Sequence, residues 1–427
     1  MNALDLQAET TSDAGVLRFI TAGSVDDGKS TLIGRLLFDA KGLLRDQVAA
    51  LSKSRGAKSA QDSELDLALV TDGLESEREQ GITIDVAYRY FATPRRTFVI
   101  ADAPGHEQYT RNMVTAASNA EVAVILIDAS RIAGKGLKAQ TRRHATIAKL
   151  MGLKIIVAIN KMDLTGWSRA VYDEIRDGFA RVARTLGIED PIYVPIAAVH
   201  GDNVTRPSPH TPWYEGPPLL EILEAIDATR RNDGVVRFPV QRVLRMADGV
   251  RAYAGRLESG VVRAGDEVLA MPSGQQAVVQ SIRTFDGALK CAIAGQSISI
   301  VLDRDLDLGR GDTLTSLEAR AAKGLVADLC WLDEQPWEKG RRYLLKQGTR
   351  TTQALIDGIV FVREMTELSE VGEAAGLKLN DVASVRIKMR DPVLADLYGE
   401  RPATGAFVLI DPVSNQTAAA GMIREAA

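Results

Sequence analysis

Residues 23–31 read GSVDDGKST and fit the pattern G-x-x-x-x-G-K-[ST] through Gly23, Gly28, Lys29 and Ser30. The flanks restrict the fold as much as the loop does. Before it, VLRFITA (16–22) is a short apolar run of strand type. After it, TLIGRLLF (31–38) places Leu32, Ile33, Leu36 and Leu37 at helical spacing. A strand that runs through a glycine loop into a helix offers backbone N–H groups and a helix N-terminus to an anion. Gly23 and Gly28 allow the tight backbone that aims those groups. Lys29 then reaches the β- and γ-phosphates of a nucleotide, and Ser30 is an expected Mg2+ ligand. Asp26 and Thr31 complete the nucleotide contacts expected of the loop. A glycine turn with a surface lysine is the bland reading, and it requires neither flank.

The first half of the chain alternates strand-like and helix-like segments. TFVIADA (97–103), EVAVILIDA (121–129), KIIVAIN (154–160) and IYVPIAA (192–198) are apolar runs of buried-strand type. Helical stretches separate most of them, which predicts an α/β domain with a parallel sheet covered on both faces. A polar insertion at 39–81 interrupts the pattern, and RDQVAALSKS (45–54) and ELDLALVTDGLESER (64–78) read as surface helices in it. Insertions of this length inside compact domains usually serve function.

A Pro-rich piece at 206–218 and one more helix, LLEILEAIDA (219–228), end this pattern. From about 235 onward, short alternating strands and Gly-Asp or Asp-Gly turns predict two small antiparallel β-barrels. The expected domains are 1–232, a nucleotide-binding domain, then barrels at 233–320 and 321–427.

The net charge of −4 lacks the basic excess of a general nucleic-acid binder, so nucleic acid is not an expected partner. Cys291 and Cys330 are too few for a disulfide framework. No signal peptide or membrane-length apolar run is evident, and a cytoplasmic location is expected.

Three further motifs sit at the ends of predicted strands. DAPGHE (102–107) puts Asp102 where a carboxylate holds Mg2+ through water. Gly105 can offer its N–H to the γ-phosphate, and His106 then lies beside that phosphate. NKMD supplies Asn160, Lys161 and Asp163 after KIIVAI. A carboxylate at 163 accepts from both N1–H and the 2-amino group of guanine, a donor pair that adenine lacks. Charge-assisted bonds of this kind contribute about 1.5–3 kcal/mol each, enough to select GTP over ATP. GITID (81–85) offers Thr83 as a second Mg2+ ligand. Alone, His106 or Thr83 would read as an ordinary surface or strand residue; the company of the other motifs changes that.

In this order the motifs are those of a translational-type GTPase. Longer stretches narrow the match. GSVDDGKSTLIGRLLFD, DGLESEREQGITIDVAYRYF, IADAPGHEQYTRNMVTAAS and QTRRH closely resemble the GTPase subunit of bacterial sulfate adenylyltransferase (ATP sulfurylase), over essentially the whole chain. Elongation factor Tu is a relative, but its loop typically has His where this chain has Ser24.

The resemblance implies a GTP-hydrolysing enzyme subunit with two barrels after the GTPase domain. It implies that Val25 and Ile82 form an apolar gate beside the attacking water and that His106 orients that water. It implies a separate small catalytic subunit, which forms adenylyl sulfate and pyrophosphate from ATP and sulfate in sulfate assimilation. GTP hydrolysis would drive that uphill reaction. No second phosphate loop occurs, so a fused adenylylsulfate kinase is not expected.

Two departures stand out. The guanine-contacting loop of the family usually reads Ser-Ala-Leu, and here it reads Ala197, Ala198, Val199. The serine hydroxyl is lost, so weaker bracing of the loop is expected, with the Ala198 N–H still reaching guanine O6. DASRIAGKGLKAQTRRH (128–144) also looks longer than its counterparts. A different class, an elongation-factor-like protein delivering aminoacyl-tRNA, shares the barrel architecture. The acidic balance and the loop sequences count against it. A P-loop kinase fails on NKMD and on the barrels.

Overall fold

A computed structural model describes residues 14–40, 86–106, 110–132, 134–227, 234–246, 249–316, 318–372 and 376–427. These fall into two compact units, the first essentially Met1–Ala228 and the second Thr229–Glu364 with Ser369–Ala427.

The first unit is a layered α/β domain. Its strands are β1 (Ala14–Ala22), β2 (Ala87–Ala92), β3 (Arg96–Asp102), β4 (Val122–Asp128), β5 (Lys154–Asn160) and β6 (Ile192–Pro195). They lie in the order β2-β3-β1-β4-β5-β6. β1, β3, β4, β5 and β6 run parallel, so their carboxyl ends and the loops that follow share one edge. Every residue of β4 is buried, as an unbroken apolar run in a sheet covered on both faces requires.

The sheet is not wholly parallel, as the alternation had led us to expect. β2 pairs antiparallel with β3. A tight turn from Thr93 to Arg96 makes the two strands a hairpin. Phe91 stacks on Phe98 across it, with ring centroids 4.7 Å apart. Exposed Tyr88 and Tyr90 alternate with partly or fully buried neighbours, the pattern of an edge strand.

The helices are α1 (Lys29–Asp39), α2 (Thr110–Ser118), α3 (Ala129–Ile132), α4 (Ala139–Leu150), α5 (Arg169–Leu186) and α6 (Leu219–Ala225). α1 and α6 supply Leu32, Ile33, Leu36, Leu219 and Leu223 to one core cluster with Leu17, Phe19, Phe98, Val124 and Ile156 of the sheet. This packing anchors α1, and so fixes the loop that precedes it. Among the described residues, no helix is long and apolar enough to cross a membrane.

The second unit holds both barrels. In the first, Glu267–Met271, Thr313–Thr315, Arg237–Arg245, Arg251–Arg256, Ser297–Leu302 and Gln275–Thr284 follow one another, and the last strand pairs back to the first. In the second, Arg342–Gln347, Ala406–Ile410, Thr417–Ala426, Ala321–Trp331, Val382–Leu394 and Arg350–Arg363 close in the same way. Closure removes free sheet edges.

A buried ion pair joins the barrels. Arg237 of the first donates from Nε and Nη2 to the two carboxylate oxygens of Asp396, each at 2.7 Å. The Thr404 hydroxyl donates to the same carboxylate at 2.6 Å. Arg350 and Asp312, 3.3 Å apart, form a second link.

Candidate nucleotide site

The loops after β1, β3, β5 and β6 meet at the carboxyl edge of the sheet. Gly28 has φ +93°, and a side chain there would run into the Asn160 amide. Asp26, exposed on the loop, also has positive φ. The Asp27 carboxylate turns back to accept from the Ser24 N–H at 2.7 Å. Val25, Ser30 and Thr31 are half-buried at the loop and the start of α1.

Lys29 is buried. Its ammonium donates to the carbonyls of Gly23 and Ser24, both at 3.0 Å. Burial lowers its pKa, and Asp102, Asp27 and Asp26 oppose that shift. Gly105 lies directly against Lys29 and the Gly23 carbonyl, so a side chain at 105 would clash with both. Asp102 is buried at the end of β3 and accepts from the Thr21 hydroxyl at 3.2 Å. His106 is exposed at the end of the same loop. Ile82 and Thr83 lie outside the described residues.

Asn160 connects the phosphate loop to the loop after β6. Its Nδ2 donates to the Asp27 carbonyl at 2.9 Å, and its Oδ1 accepts from the Ala198 N–H at 3.0 Å. The Ala198 N–H is therefore engaged by Asn160, where the sequence had assigned it to guanine O6. Lys161 donates to the Asp26 carbonyl at 2.6 Å and to the Asp128 carboxylate at 2.8 Å. The Lys161 and Ser130 hydrogen bonds pull the Asp128 pKa down against its burial. Asp163 is partly exposed and faces His200, with Nε2 at 3.8 Å from the carboxylate.

Several groups at this site lie outside the nucleotide motifs. Arg131 of α3 pairs with Asp26 at 3.3 Å, and Lys138 with Asp27 at 3.5 Å. The 128–144 segment thus lies against the phosphate loop. Gln140 of α4 donates to the Gly105 carbonyl at 3.3 Å and lies 2.9 Å from Nε2 of His144. Burial pushes the His144 pKa down to about 3, and Lys29 and Arg143 add to the shift, so the ring is neutral. Gln140, Arg143 and His144 belong to the QTRRH stretch that carried the resemblance, and their three- and four-residue spacing puts them on one helix face.

The bracing of the 197–199 loop also departs from expectation. Arg35 of α1 donates from Nε to the Ala198 carbonyl at 3.2 Å and from Nη2 to the Val199 carbonyl. The hydroxyl missing at Ala197 is not the only brace available to this loop.

The family profile described as "Elongation factor Tu GTP binding domain" matches residues 15–232. "Elongation factor Tu domain 2" matches 252–315, and "GTP-eEF1A C-terminal domain-like" matches 324–424. Sulfate adenylyltransferase subunit 1 of Shewanella oneidensis is 46% identical over 417 residues, covering 96% of this chain and 85% of the relative. The chain belongs to the sulfate adenylyltransferase subunit 1 family. Within that family, the Francisella tularensis protein is 46% identical over 411 residues, covering 96% of this chain and 86% of its own. A "Bifunctional enzyme CysN/CysC" of Mycobacterium tuberculosis is 47% identical over 417 residues, and this chain spans 67% of its length. As a member of the sulfate adenylyltransferase subunit 1 family, the chain is an enzyme subunit built on a GTP-binding domain.

Proposed function

We propose that the chain binds and hydrolyses GTP in the cytoplasm, and that this turnover drives a separate small subunit to form adenylyl sulfate and pyrophosphate from ATP and sulfate. The observation that carries the nucleotide reading is Asn160. It ties the loop that would cradle phosphate to the loop that would flank the base, with Asp163 beside them. The names of the relatives carry the sulfate reading.

The residues suit a nucleotide with Mg2+. Lys29 is a buried cation whose present acceptors are the loop's own carbonyls. The Ser24 hydroxyl is buried without a hydrogen-bond partner. Asp102 supplies a buried carboxylate at a strand end. Ser30 and Asp102 would hold Mg2+, with Thr83 as a further ligand. Such an ion would offset the negative charge of the phosphates during transfer. Gly23, Gly28, Lys29, Thr31 and Gly105 would surround the phosphates, and Asp26 the loop's outer edge. Asn160, Lys161, Asp163, Ala197 and Ala198 would form the base side. His106 would orient the water that attacks the γ-phosphorus, screened by Val25 and Ile82. The bond from that phosphorus to the β–γ bridging oxygen then breaks, leaving GDP and phosphate.

His106→Ala is expected to leave GTP binding intact and slow single-turnover hydrolysis by about 10²-fold, the usual effect of losing a positioned polar group. A full-rate variant would return His106 to a structural role.

The partner dependence is tested with purified components. This chain alone is expected to make no adenylyl sulfate and to hydrolyse GTP slowly. Adding the small subunit with ATP and sulfate should raise both rates, and the partner should shift GTP affinity, because coupling in binding is reciprocal. Robust adenylyl sulfate synthesis by this chain alone would overturn the proposal. So would stimulation of GTP hydrolysis by ribosomes in place of the small subunit.

A further inference from the structure

The loop after β6 has alanine at 197, with no hydroxyl to brace it, and the first helix reaches across to hold it. Arg35 lies on α1 six residues beyond Lys29. Its Nε and Nη2 meet the carbonyls of two successive residues, Ala198 and Val199. The side chain is only 14% exposed. A planar guanidinium suits this task, because its donors are fixed in one plane and can span adjacent acceptors.

Other features hold Arg35 in place. Asp39, one turn along α1, pairs with it at 3.5 Å. Asp39 also accepts from the Thr205 hydroxyl at 2.6 Å, which ties the far side of the loop to α1. Gly201 has φ +82°, and a side chain there would come within 3.3 Å of the Arg35 Cδ. The turn is therefore shaped to let the arginine stem pass. On its other side, the Ala198 N–H donates to Asn160. The loop is gripped by carbonyl from α1 and by amide from β5.

We infer that Arg35 is a positioning residue for guanine. It fixes the 197–199 loop from outside the pocket and does the bracing that a serine at 197 would do from within. Its donors are turned to the Ala198 and Val199 carbonyls, so it would touch neither phosphate nor base. Its removal should let the base side of the site open and leave the hydrolytic groups in place. The inference rests on the GTP reading proposed above.

The test uses the full chain and a fluorescent guanine diphosphate. Arg35→Met keeps the apolar stem and removes the donors. It is expected to release the nucleotide about tenfold faster, the size of one to two net hydrogen bonds. The KM for GTP should rise in proportion, with single-turnover hydrolysis of bound GTP unchanged. Arg35→Lys keeps the charge but cannot serve both carbonyls in the same fork geometry, and is expected to release the nucleotide about threefold faster than wild type. Release at the wild-type rate in Arg35→Met would overturn the inference. So would a loss confined to the hydrolysis rate, because that would place Arg35 in the chemistry. If Arg35→Met does not fold, Arg35→Lys decides, and a wild-type release rate there overturns the inference. A wild-type chain that fails to hold the nucleotide would instead overturn the GTP reading.

Discussion

Asp163→Asn is expected to turn the site from GTP to xanthosine triphosphate. The carboxylate would accept two donors of guanine, and each charge-assisted bond of this kind contributes about 1.5–3 kcal/mol. The variant should therefore lose about 10²-fold or more in GTP affinity. Xanthine replaces the 2-amino donor with a carbonyl, and the new amide can donate to it. Asp163 is well placed for such a readout. It is partly exposed at the site, and the His200 ring stands 3.8 Å from its carboxylate, beyond hydrogen-bond distance. Equilibrium binding of GTP, ATP and XTP to both proteins checks the result. An unchanged GTP preference in the variant would mean that Asp163 does not read the base.

The second large effect is one of stability. Arg237 and Asp396 are 2% and 6% exposed, and their bidentate pair links the two barrels. Asp396→Ala would leave a buried guanidinium without its main acceptor. Breaking a buried pair in this way typically costs about 3–5 kcal/mol. The urea midpoint of the second unit, followed through Trp331 and Trp337 of its second barrel, should fall accordingly. Replacing both partners with apolar residues of similar size should recover most of the loss. A midpoint that hardly moves in Asp396→Ala would show that the pair contributes nothing to cohesion between the barrels.

Much of this architecture could be read before any coordinates. The strands of the first unit are apolar runs bounded by turn residues, and the expected 154–160 segment coincides with β5. The barrel strands show alternation that survives as alternating burial, as in Arg342–Gln347. The final strand, Thr417–Ala426, escaped notice. Its sequence, TAAAGMIREA, is dominated by small residues, with no aromatic and only Thr417 and Ile423 of the β-branched type that marks strands. It forms because Ala321–Trp331 and Ala406–Ile410 flank it on both sides. Gly421 within it leaves the space that the Phe407 ring occupies. Small residues are required there by the neighbours, a reason no local pattern carries.

The site divides in the same way. Gly28, Lys29 and Asn160 belong to short motifs whose spacing reflects local backbone geometry. Arg35, Lys138 and Gln140 act on residues 163, 111 and 35 positions away. Their roles depend on which elements the sheet order brings together. The Ala198 N–H shows the limit most clearly. The resemblance assigned it to guanine O6, whereas its partner in the structure is a side chain 38 residues earlier.

Asn160 has one further consequence. A carboxamide has a donor end and an acceptor end, and here each end is committed to a different loop. Rotating the group by half a turn would face donor to donor and acceptor to acceptor, so both attachments hold or fail together. Ordering of one loop thereby favours ordering of the other. Guanosine and pyrophosphate, offered as separate molecules, should then each bind more tightly in the presence of the other, by the same factor in both directions. The two halves of the nucleotide would be sensed as a single object even when no covalent bond joins them.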